Sequence, residues 1–161
     1  MHRRLLLSLA APAALAACGF QLRKAPDFVF DTIFVGGAPT SPLATELRRN
    51  IAASGDVKVV DATRAQVVLD ILTDQREKVV VGLNATGQVR EFQLRTRLKF
   101  KLRTAGGKEL IPETELLQQR DISFNESQAL AKEGEENLLY RAMQTELVQQ
   151  LMRRLAAVKT L

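Results

Sequence analysis

The chain has 161 residues, and its 23 lysines and arginines against 18 aspartates and glutamates give a formal net charge of +5. That length corresponds to one domain, and so mild a positive charge is not typical of a dedicated nucleic-acid-binding protein. The only histidine and the only cysteine, His2 and Cys18, lie near the N-terminus. The rest of the chain therefore lacks the residues for Ser-His-Asp or Cys-His catalysis and for His/Cys zinc sites, and we predict no enzyme, no metal and no cofactor.

The N-terminal segment has the layout of a secretory signal peptide. Arg3 and Arg4 precede an apolar stretch over 5–14, which is too short for a transmembrane helix of about 20 apolar residues. The stretch L-A-A-C at 15–18 resembles the lipobox of bacterial lipoproteins, in which the cysteine thiol is alkylated by diacylglycerol and the chain is cut before it. The alternative is an ordinary signal peptide with a spare thiol at Cys18.

The lipobox sets the boundaries of the mature protein. We predict a signal peptide over 1–17, lipidation of Cys18, a tether over 18–27 and a single domain over 28–161. Acylation of the cysteine by several chains anchors a protein stably without a spanning helix. Gly19, rather than an aspartate, follows the cysteine, which indicates sorting to the outer membrane, on its periplasmic side.

The predicted domain begins with a strand and a short helix. Residues 28–35 are rich in Phe, Val and Ile, which favours a β-strand. Ser41 is placed as an N-cap, with Pro42 at the first helical position. Apolar residues then recur at four-residue spacing: Leu43, Leu47 and Ile51. This pattern predicts an amphipathic helix over 42–54.

Strand patterns dominate the middle of the chain. Residues 57–60 suggest a short strand, and alternation of apolar and mixed positions predicts a strand over 65–74. A further β-branched run covers 78–83. It leads into a loop over 84–88, in which Gly87 is expected to supply a positive φ.

The strongest alternation predicts a long strand over 92–103 with one apolar and one basic face. Thr96 alone interrupts the apolar face, which consists of Phe92, Leu94, Leu98, Phe100 and Leu102. The opposite face carries a set that we call the basic row: Arg95, Arg97, Lys99, Lys101 and Arg103. A return strand is predicted over 109–124, where Pro112 indicates a bulge or an edge position.

The C-terminal part has a helical pattern from Asn125 onwards. Apolar residues recur every four positions at Leu139, Met143, Leu147, Leu151 and Leu155. They predict a helix of roughly 30 residues, about 45 Å long, with a kink or restart at Gly134. The order of elements predicts an α+β fold, a two-layer sandwich with a mixed, mainly antiparallel sheet of about four to five strands and two helices on one face.

The basic row has two interpretations at the level of the sequence. In the first it is a solvated face, partly neutralised by Glu113 and Glu115 on the next strand. In the second it binds an anion, because arginine and lysine match phosphate and carboxylate oxygens. Nucleic acid is not a predicted partner, because the compartment is wrong and no aromatic side chain on that face could stack on a base. The abundant polyanion beside an outer-membrane lipoprotein is lipopolysaccharide, whose lipid A carries phosphates.

Four short motifs, in order along the chain, resemble the LptE family of lipopolysaccharide-assembly lipoproteins. The first is C-G-F-Q-L-R at 18–23, which is similar to the C-G-[FWY]-x-L-R start of the mature family members. The second is E-F-Q-L at 91–94, which resembles an E-Y-x-[LM] strand opening. The third and fourth are A-L-A-K at 129–132 and Q-L-M-R-R-L at 150–155, at the two ends of the long helix.

The resemblance implies a two-layer α+β fold that plugs the LptD β-barrel as a 1:1 complex. It also implies help with barrel assembly and with lipopolysaccharide transport to the outer leaflet. Family members are thought to contact lipopolysaccharide through basic residues near a strand-loop tip and in the A-L-A-K segment. Lys132 matches the second position, and Arg90 is the nearest base after the tip at 84–88.

Two other functional hypotheses stay open at this level. One is a free-standing outer-membrane lipoprotein that binds an acidic glycolipid or polyanion, through the basic row, without a barrel partner. The other is a periplasmic hydrolase with Glu113 and Glu115 as paired carboxylates.

Overall fold

A five-stranded sheet with both helices on one face makes up the computed structural model, which describes residues 27–161. The predicted signal peptide, Cys18 and nearly all of the tether lie outside these residues. In chain order the elements are β1 Thr32–Val35, α1 Pro42–Ala53, β2 Lys58–Val59, β3 Val67–Leu83, β4 Val89–Thr104, β5 Glu109–Ser123 and α2 Ala129–Ala156, the last preceded by a 3-10 turn at Glu126–Gln128.

The sheet has the strand order β2-β1-β3-β4-β5. Strand β1 runs parallel to β2 and β3, whereas β3, β4 and β5 are joined by antiparallel pairing. The predicted α+β sandwich, with a mixed and mainly antiparallel sheet, is therefore confirmed. None of the helices within 27–161 is long and apolar enough to cross a bilayer.

Helix α1 starts where the sequence predicts. The Ala44 backbone N–H donates to the Ser41 Oγ at 3.1 Å, which satisfies one of the free donors of the first turn. The Ser41 hydroxyl in turn donates to the Asp74 Oδ2 at 2.6 Å and so ties the helix to β3. The buried side of the helix consists of Leu43, Ala44, Leu47 and Ile51.

Strand β3 corrects the prediction of two separate segments at 65–74 and 78–83. It is one strand of 17 residues, paired with β4 from Val67 to Leu83. The charged stretch D-Q-R-E at 74–77 interrupts the apolar alternation, because this part of the strand contacts polar groups of α2 and solvent rather than the core. Register shifts near Leu72 and Gly82 adjust the two long strands to each other.

The two turns and the return strand agree with their sequence signals. Gly87 has a φ of 81° in the tip between β3 and β4, and Gly107 has a φ of 90° in the next turn. Strand β5 is the edge of the sheet, and its register with β4 shifts between Phe100 and Leu102, at the level of Pro112. Pro112 thus lies on an edge strand and at a bulge, as predicted.

Helix α2 is continuous over 28 residues, so the predicted restart at Gly134 is wrong. No atom outside the helix lies within 4 Å of the position where a Cβ of Gly134 would be. A side chain at this position would therefore meet open space, and the glycine lowers the helix propensity without serving a close contact. The helix spans about 42 Å and passes over the apolar face of β4 and β5.

The space between sheet and helices contains two apolar clusters. The larger one brings together both helices and residues of all five strands, with Phe100 and Leu147 fully buried in it. The smaller one consists of Leu94, Ile122, Tyr140 and Met143. Thr96 of β4 lies between them along the strand and is only 1% exposed. The sheet therefore has a polar layer where the sequence shows a break in its apolar face.

Thr96→Val is expected to raise the free energy of unfolding by about 1 kcal/mol, because a buried hydroxyl without a partner is replaced by a methyl group. Within the described residues, the Thr96 Oγ1 has no hydrogen-bond partner. Urea denaturation would measure the change. Thr114→Val is the matched control on β5, because the Thr114 hydroxyl donates to the Pro112 carbonyl at 2.8 Å. An equal gain at both positions would contradict this explanation.

Candidate functional site

A cleft opens between the N-terminal half of α2 and the far end of the β3–β4–β5 sheet. Its volume is about 230 Å³. Each of the three strands and the helix contributes to its wall, which consists of Lys78, Phe92, Ile122, Ser123, Phe124, Ala129, Leu130, Lys132, Glu133 and Glu136. Because Phe92 and Ile122 pair across β4 and β5, they present their side chains side by side on the helix-facing side of the sheet.

The floor of the cleft is apolar. The rings of Phe92 and Phe124 pack edge to face, with centroids 5.3 Å apart and planes at 77°. Leu130 of α2 is 85% exposed and forms the opposite lip. An exposed leucine beside two aromatic rings provides an apolar surface that an acyl chain or an apolar side chain could cover.

Lys132 lies at the rim of this cleft. Its Nζ donates to the Ser123 Oγ at 3.0 Å and to the Glu135 Oε2 at 2.8 Å. These contacts hold the ammonium group between α2 and the end of β5. The A-L-A-K segment therefore places one leucine on the lip of the cleft and one lysine on its rim.

Lys78 is a second cation of the cleft, and no motif in the sequence predicts it. Its Nζ lies 2.6 Å from the Glu136 Oε2 and 4.3 Å from the centroid of the Phe92 ring. A single lysine at the start of a β-branched run gives no signal of its own. Only the length of β3, which carries Lys78 to the level of Leu94 on β4, brings it beneath α2.

The basic row lies on the other face of the sheet, away from the helices and the cleft. Neighbouring strands supply carboxylates to it: the Glu115 carboxylate lies 3.8 Å from Arg97 Nε and 3.5 Å from Lys99 Nζ, and the Asp70 carboxylate lies 2.9 Å from Arg103 Nε. Its charge is thus offset in part within the sheet, by two carboxylates against five cations. Its role as an anion-binding surface stays a prediction.

The other expected counter-charge of the basic row behaves differently. Glu113 lies in the bulged part of β5, where the register with β4 shifts. Among the described residues, it takes part in none of the ion pairs of the sheet. Glu115 alone therefore fulfils the prediction made for the pair, and neither carboxylate lines the cleft beside α2.

Arg90 lies near the hairpin tip, outside the cleft. It is exposed and lines a separate depression with Gln88, Val89, Asn125, Glu126 and Ser127. Its carbonyl accepts a hydrogen bond of 2.7 Å from the Phe124 backbone N–H. The structure thus brings Arg90 and Lys132 to the same end of the sheet, on either side of Phe124, and leaves the basic row on the opposite face.

A polar network beneath α2 fixes the helix relative to both layers. The Arg76 guanidinium donates to the Gln144 Oε1 at 2.6 Å, and the Gln144 amide donates to the Glu46 carboxylate of α1 at 2.6 Å. Arg76 also lies 5.4 Å from the centroid of the Tyr140 ring, and the Tyr140 hydroxyl donates to the Glu77 carbonyl at 2.7 Å. These contacts hold the helix next to the cleft.

Tyr140→Phe is expected to lower the free energy of unfolding by about 1 kcal/mol at neutral pH, because the Glu77 carbonyl loses its donor. Burial, and then the negative charge of Glu136, raise the pKa of Tyr140 above 10.0. The stability that depends on the neutral phenol is thus complete below pH 10 and lost as the pH rises through the folded-state pKa. Tyr140 is the only tyrosine, and there is no tryptophan, so ultraviolet absorbance of the phenolate reports this titration alone. A midpoint at or below the ordinary value would contradict it.

The model of the family described as "LptE: Lipopolysaccharide-assembly" matches residues 30–155. The chain belongs to the LptE family. The match covers every strand and both helices up to the last turn of α2. It therefore includes both sides of the cleft, and the resemblance seen in the short motifs is confirmed.

Curated relatives extend the LptE similarity over nearly the whole chain. A protein from Pectobacterium atrosepticum, named LPS-assembly lipoprotein LptE, is 29% identical over 163 residues, covering 98% of this chain and 87% of the relative. A protein of the same name from Yersinia enterocolitica is 28% identical, covering 98% of this chain and 78% of the relative.

Solved structures support the LptE fold. The solution structure of lipoprotein B from Nitrosomonas europaea has a TM-score of 0.75 and 33% identity, covering 86% of this chain and 91% of that one. The crystal structure of rare lipoprotein B from Shewanella oneidensis has a TM-score of 0.66 and 25% identity, covering 79% and 95%.

Proposed function

We propose that this LptE-family protein plugs and helps assemble the LptD β-barrel, and that it assists the transport of lipopolysaccharide to the outer leaflet. The role is one of binding and assembly, without catalysis. Family membership supports the barrel partner, since the match spans the whole described domain. The observation that carries the ligand is the cleft, in which the family-matched Lys132 stands over an apolar floor.

The chemistry of the cleft fits an acidic amphiphile. Phe92, Phe124 and Leu130 offer an apolar surface for part of an acyl chain. Lys78 and Lys132 lie at the edge of that surface, where a phosphate group would accept charge-assisted hydrogen bonds. Lipid A combines both features, acyl chains and phosphates, in one molecule.

The basic row serves a different purpose in this proposal. Its cations are partly offset by Asp70 and Glu115, and it lies on the face that the helices leave uncovered. A hydrated surface of mixed charge suits contact with the polar inner wall of a barrel better than the binding of a lipid. The row is therefore a candidate for barrel contact rather than for lipopolysaccharide contact.

Attachment to the outer membrane follows from the N-terminal motif. We propose that Cys18 is acylated and that Gly19 directs the protein to the outer membrane, on its periplasmic side. Cys18→Ala is expected to abolish acylation and processing, because only a thiol can accept the diacylglycerol. Intact-mass spectrometry and membrane fractionation measure both effects. A variant that is still cut before residue 18 would point to an ordinary signal peptide.

The barrel partnership is tested by affinity purification of the tagged protein from detergent-solubilised outer membrane, followed by mass spectrometry. A large outer-membrane barrel in equal molar amount is the expected result. A protein that purifies alone, with normal surface lipopolysaccharide after depletion, would refute the plug function.

The second candidate is a free-standing lipoprotein that binds an acidic glycolipid. Two lysines beside an apolar floor favour it as much as they favour the plug function. It predicts tight lipopolysaccharide binding without a barrel. The same purification separates the two candidates, since only the plug function requires the barrel.

A further inference from the structure

We propose that Glu135 and Glu136 are built-in competitors for the anionic ligand, so that a phosphate binds a lysine of the cleft only by displacing a carboxylate. The inference rests on the proposed function, because it concerns the ligand of the same cleft. Each lysine of the rim already has a carboxylate partner: Lys132 has Glu135 at 2.8 Å, and Lys78 has Glu136 at 2.6 Å. A phosphate can reach either ammonium group fully only by replacing that partner.

The charge balance of the cleft makes this exchange demanding. Glu135 and Glu136 offset the charge of the two lysines, and Glu133 also lines the wall of the cleft. A ligand with one negative charge would only replace one carboxylate by another. A phosphate group carries up to two negative charges and three acceptor oxygens, so it can displace a glutamate from its lysine, and a second phosphate can displace the second glutamate.

Each of the two ion pairs can break while its lysine is still held in place by another contact. Glu135 lies within one turn of Lys132 on α2, and its side chain is 50% exposed, so it can turn into solvent while Ser123 still holds Lys132. The second pair crosses from β3 to α2. When Glu136 leaves, Lys78 remains over the ring of Phe92, 4.3 Å from its centroid. Both cations therefore stay at the rim.

The experiment measures the affinity of the full-length protein for lipid A with two phosphates and for its monophosphoryl form, in the same detergent. Glu135→Gln and Glu136→Gln are each expected to tighten binding about two- to fivefold, and the double variant about tenfold. The gain is small because a partly exposed ion pair contributes little free energy, so its removal lowers the free energy of binding only by that amount. The double variant is expected to tighten binding of the bisphosphoryl form more than that of the monophosphoryl form, because each phosphate then meets a lysine without a competing carboxylate.

Glu133→Gln is the matched control. It removes the same charge from the same wall, but within the described residues Glu133 pairs with neither lysine. We expect it to tighten binding by less than either of the other two substitutions, because it removes only a repulsion that acts without direct contact and is screened by salt. If Glu133→Gln tightens binding as much as the other two, net charge alone explains the result and the competitor role is overturned.

The remaining outcomes separate this inference from the proposed function. If the wild type binds lipid A and neither Glu135→Gln nor Glu136→Gln binds more tightly, the competitor role is wrong while the ligand stands. If no variant binds either form of lipid A, the ligand assignment and the inference both fail, whereas co-purification with a barrel is unaffected. Both substitutions are at partly exposed helix positions, and circular dichroism confirms that each variant is folded.

Discussion

Lys132→Glu is expected to weaken lipopolysaccharide binding by the full-length protein by about tenfold or more. A hydrogen bond to a charged group contributes about 1.5–3 kcal/mol, and the new carboxylate also repels phosphate. Lys132 is placed for this role, because Ser123 and Glu135 hold its ammonium group at the rim of an apolar floor. Titration with lipopolysaccharide at low and at high salt would measure the effect, which shrinks as salt rises.

Lys99→Glu is the matched control for this prediction. It makes the same change in charge on the opposite face of the sheet, where Lys99 lies 3.5 Å from the Glu115 carboxylate. Affinity is expected to change by less than about twofold, because the site is shielded from the cleft by the sheet itself. A larger loss with Lys99→Glu than with Lys132→Glu would move the lipopolysaccharide contact from the cleft to the basic row.

The fold was predictable where one periodicity persists over many residues. In β4, apolar and basic side chains alternate from Phe92 to Arg103, and a register slip of one residue would bury the whole basic row. The four-residue apolar spacing of α2 likewise fixes which side meets the sheet, with Leu147 and Leu151 fully buried. Strand β4 and helix α2 determine most of the architecture, because their apolar sides pack against each other in the core.

The prediction failed where tertiary contacts override local pattern. The stretch D-Q-R-E at 74–77 looks like a break, yet it continues β3 because β4 pairs with it throughout. Arg76 is accommodated by the Gln144 side chain, and the Glu77 carbonyl by the Tyr140 hydroxyl. Both partners are on a helix more than 60 positions away, as the separations 68 and 63 show. Local sequence patterns, which extend over about 20 residues, cannot reveal either of these two contacts.

The same limit applies to the candidate site. Lys132 was found through the A-L-A-K resemblance, and it lies at the rim of the cleft. Lys78 and Glu136 carry no motif, and they become neighbours only because the long β3 strand passes beneath α2. The position of Lys78 at the cleft therefore depends on the length of β3, which the sequence predicts as two shorter segments. The basic row was conspicuous in the sequence for a different reason, since alternation on a strand is visible without any tertiary information.

Phe100→Ala is expected to lower the free energy of unfolding by about 3–5 kcal/mol, because the removal of a buried aromatic ring leaves a cavity that the core fills only in part. Phe100 is completely buried in the larger apolar cluster, against both helices. Urea denaturation would measure the loss. Leu72→Ala is the control on the neighbouring strand, where the leucine is 46% exposed and the expected change is within about 0.5 kcal/mol.

Substitutions in the two apolar clusters test whether both clusters affect lipid A binding or only the smaller one, which lies next to the cleft. Leu94→Ala removes a buried side chain from the smaller cluster, which contacts Phe92 of the cleft, and is expected to cost about 2–5 kcal/mol. We expect it also to weaken lipid A binding, since the apolar floor loses support. Phe100 lies on the other side of Thr96 from the cleft. Phe100→Ala is therefore expected to change the affinity of the folded protein for lipid A by less than about twofold relative to the wild type. Equal losses of affinity in both variants would show that the larger cluster, too, sets the geometry of the cleft.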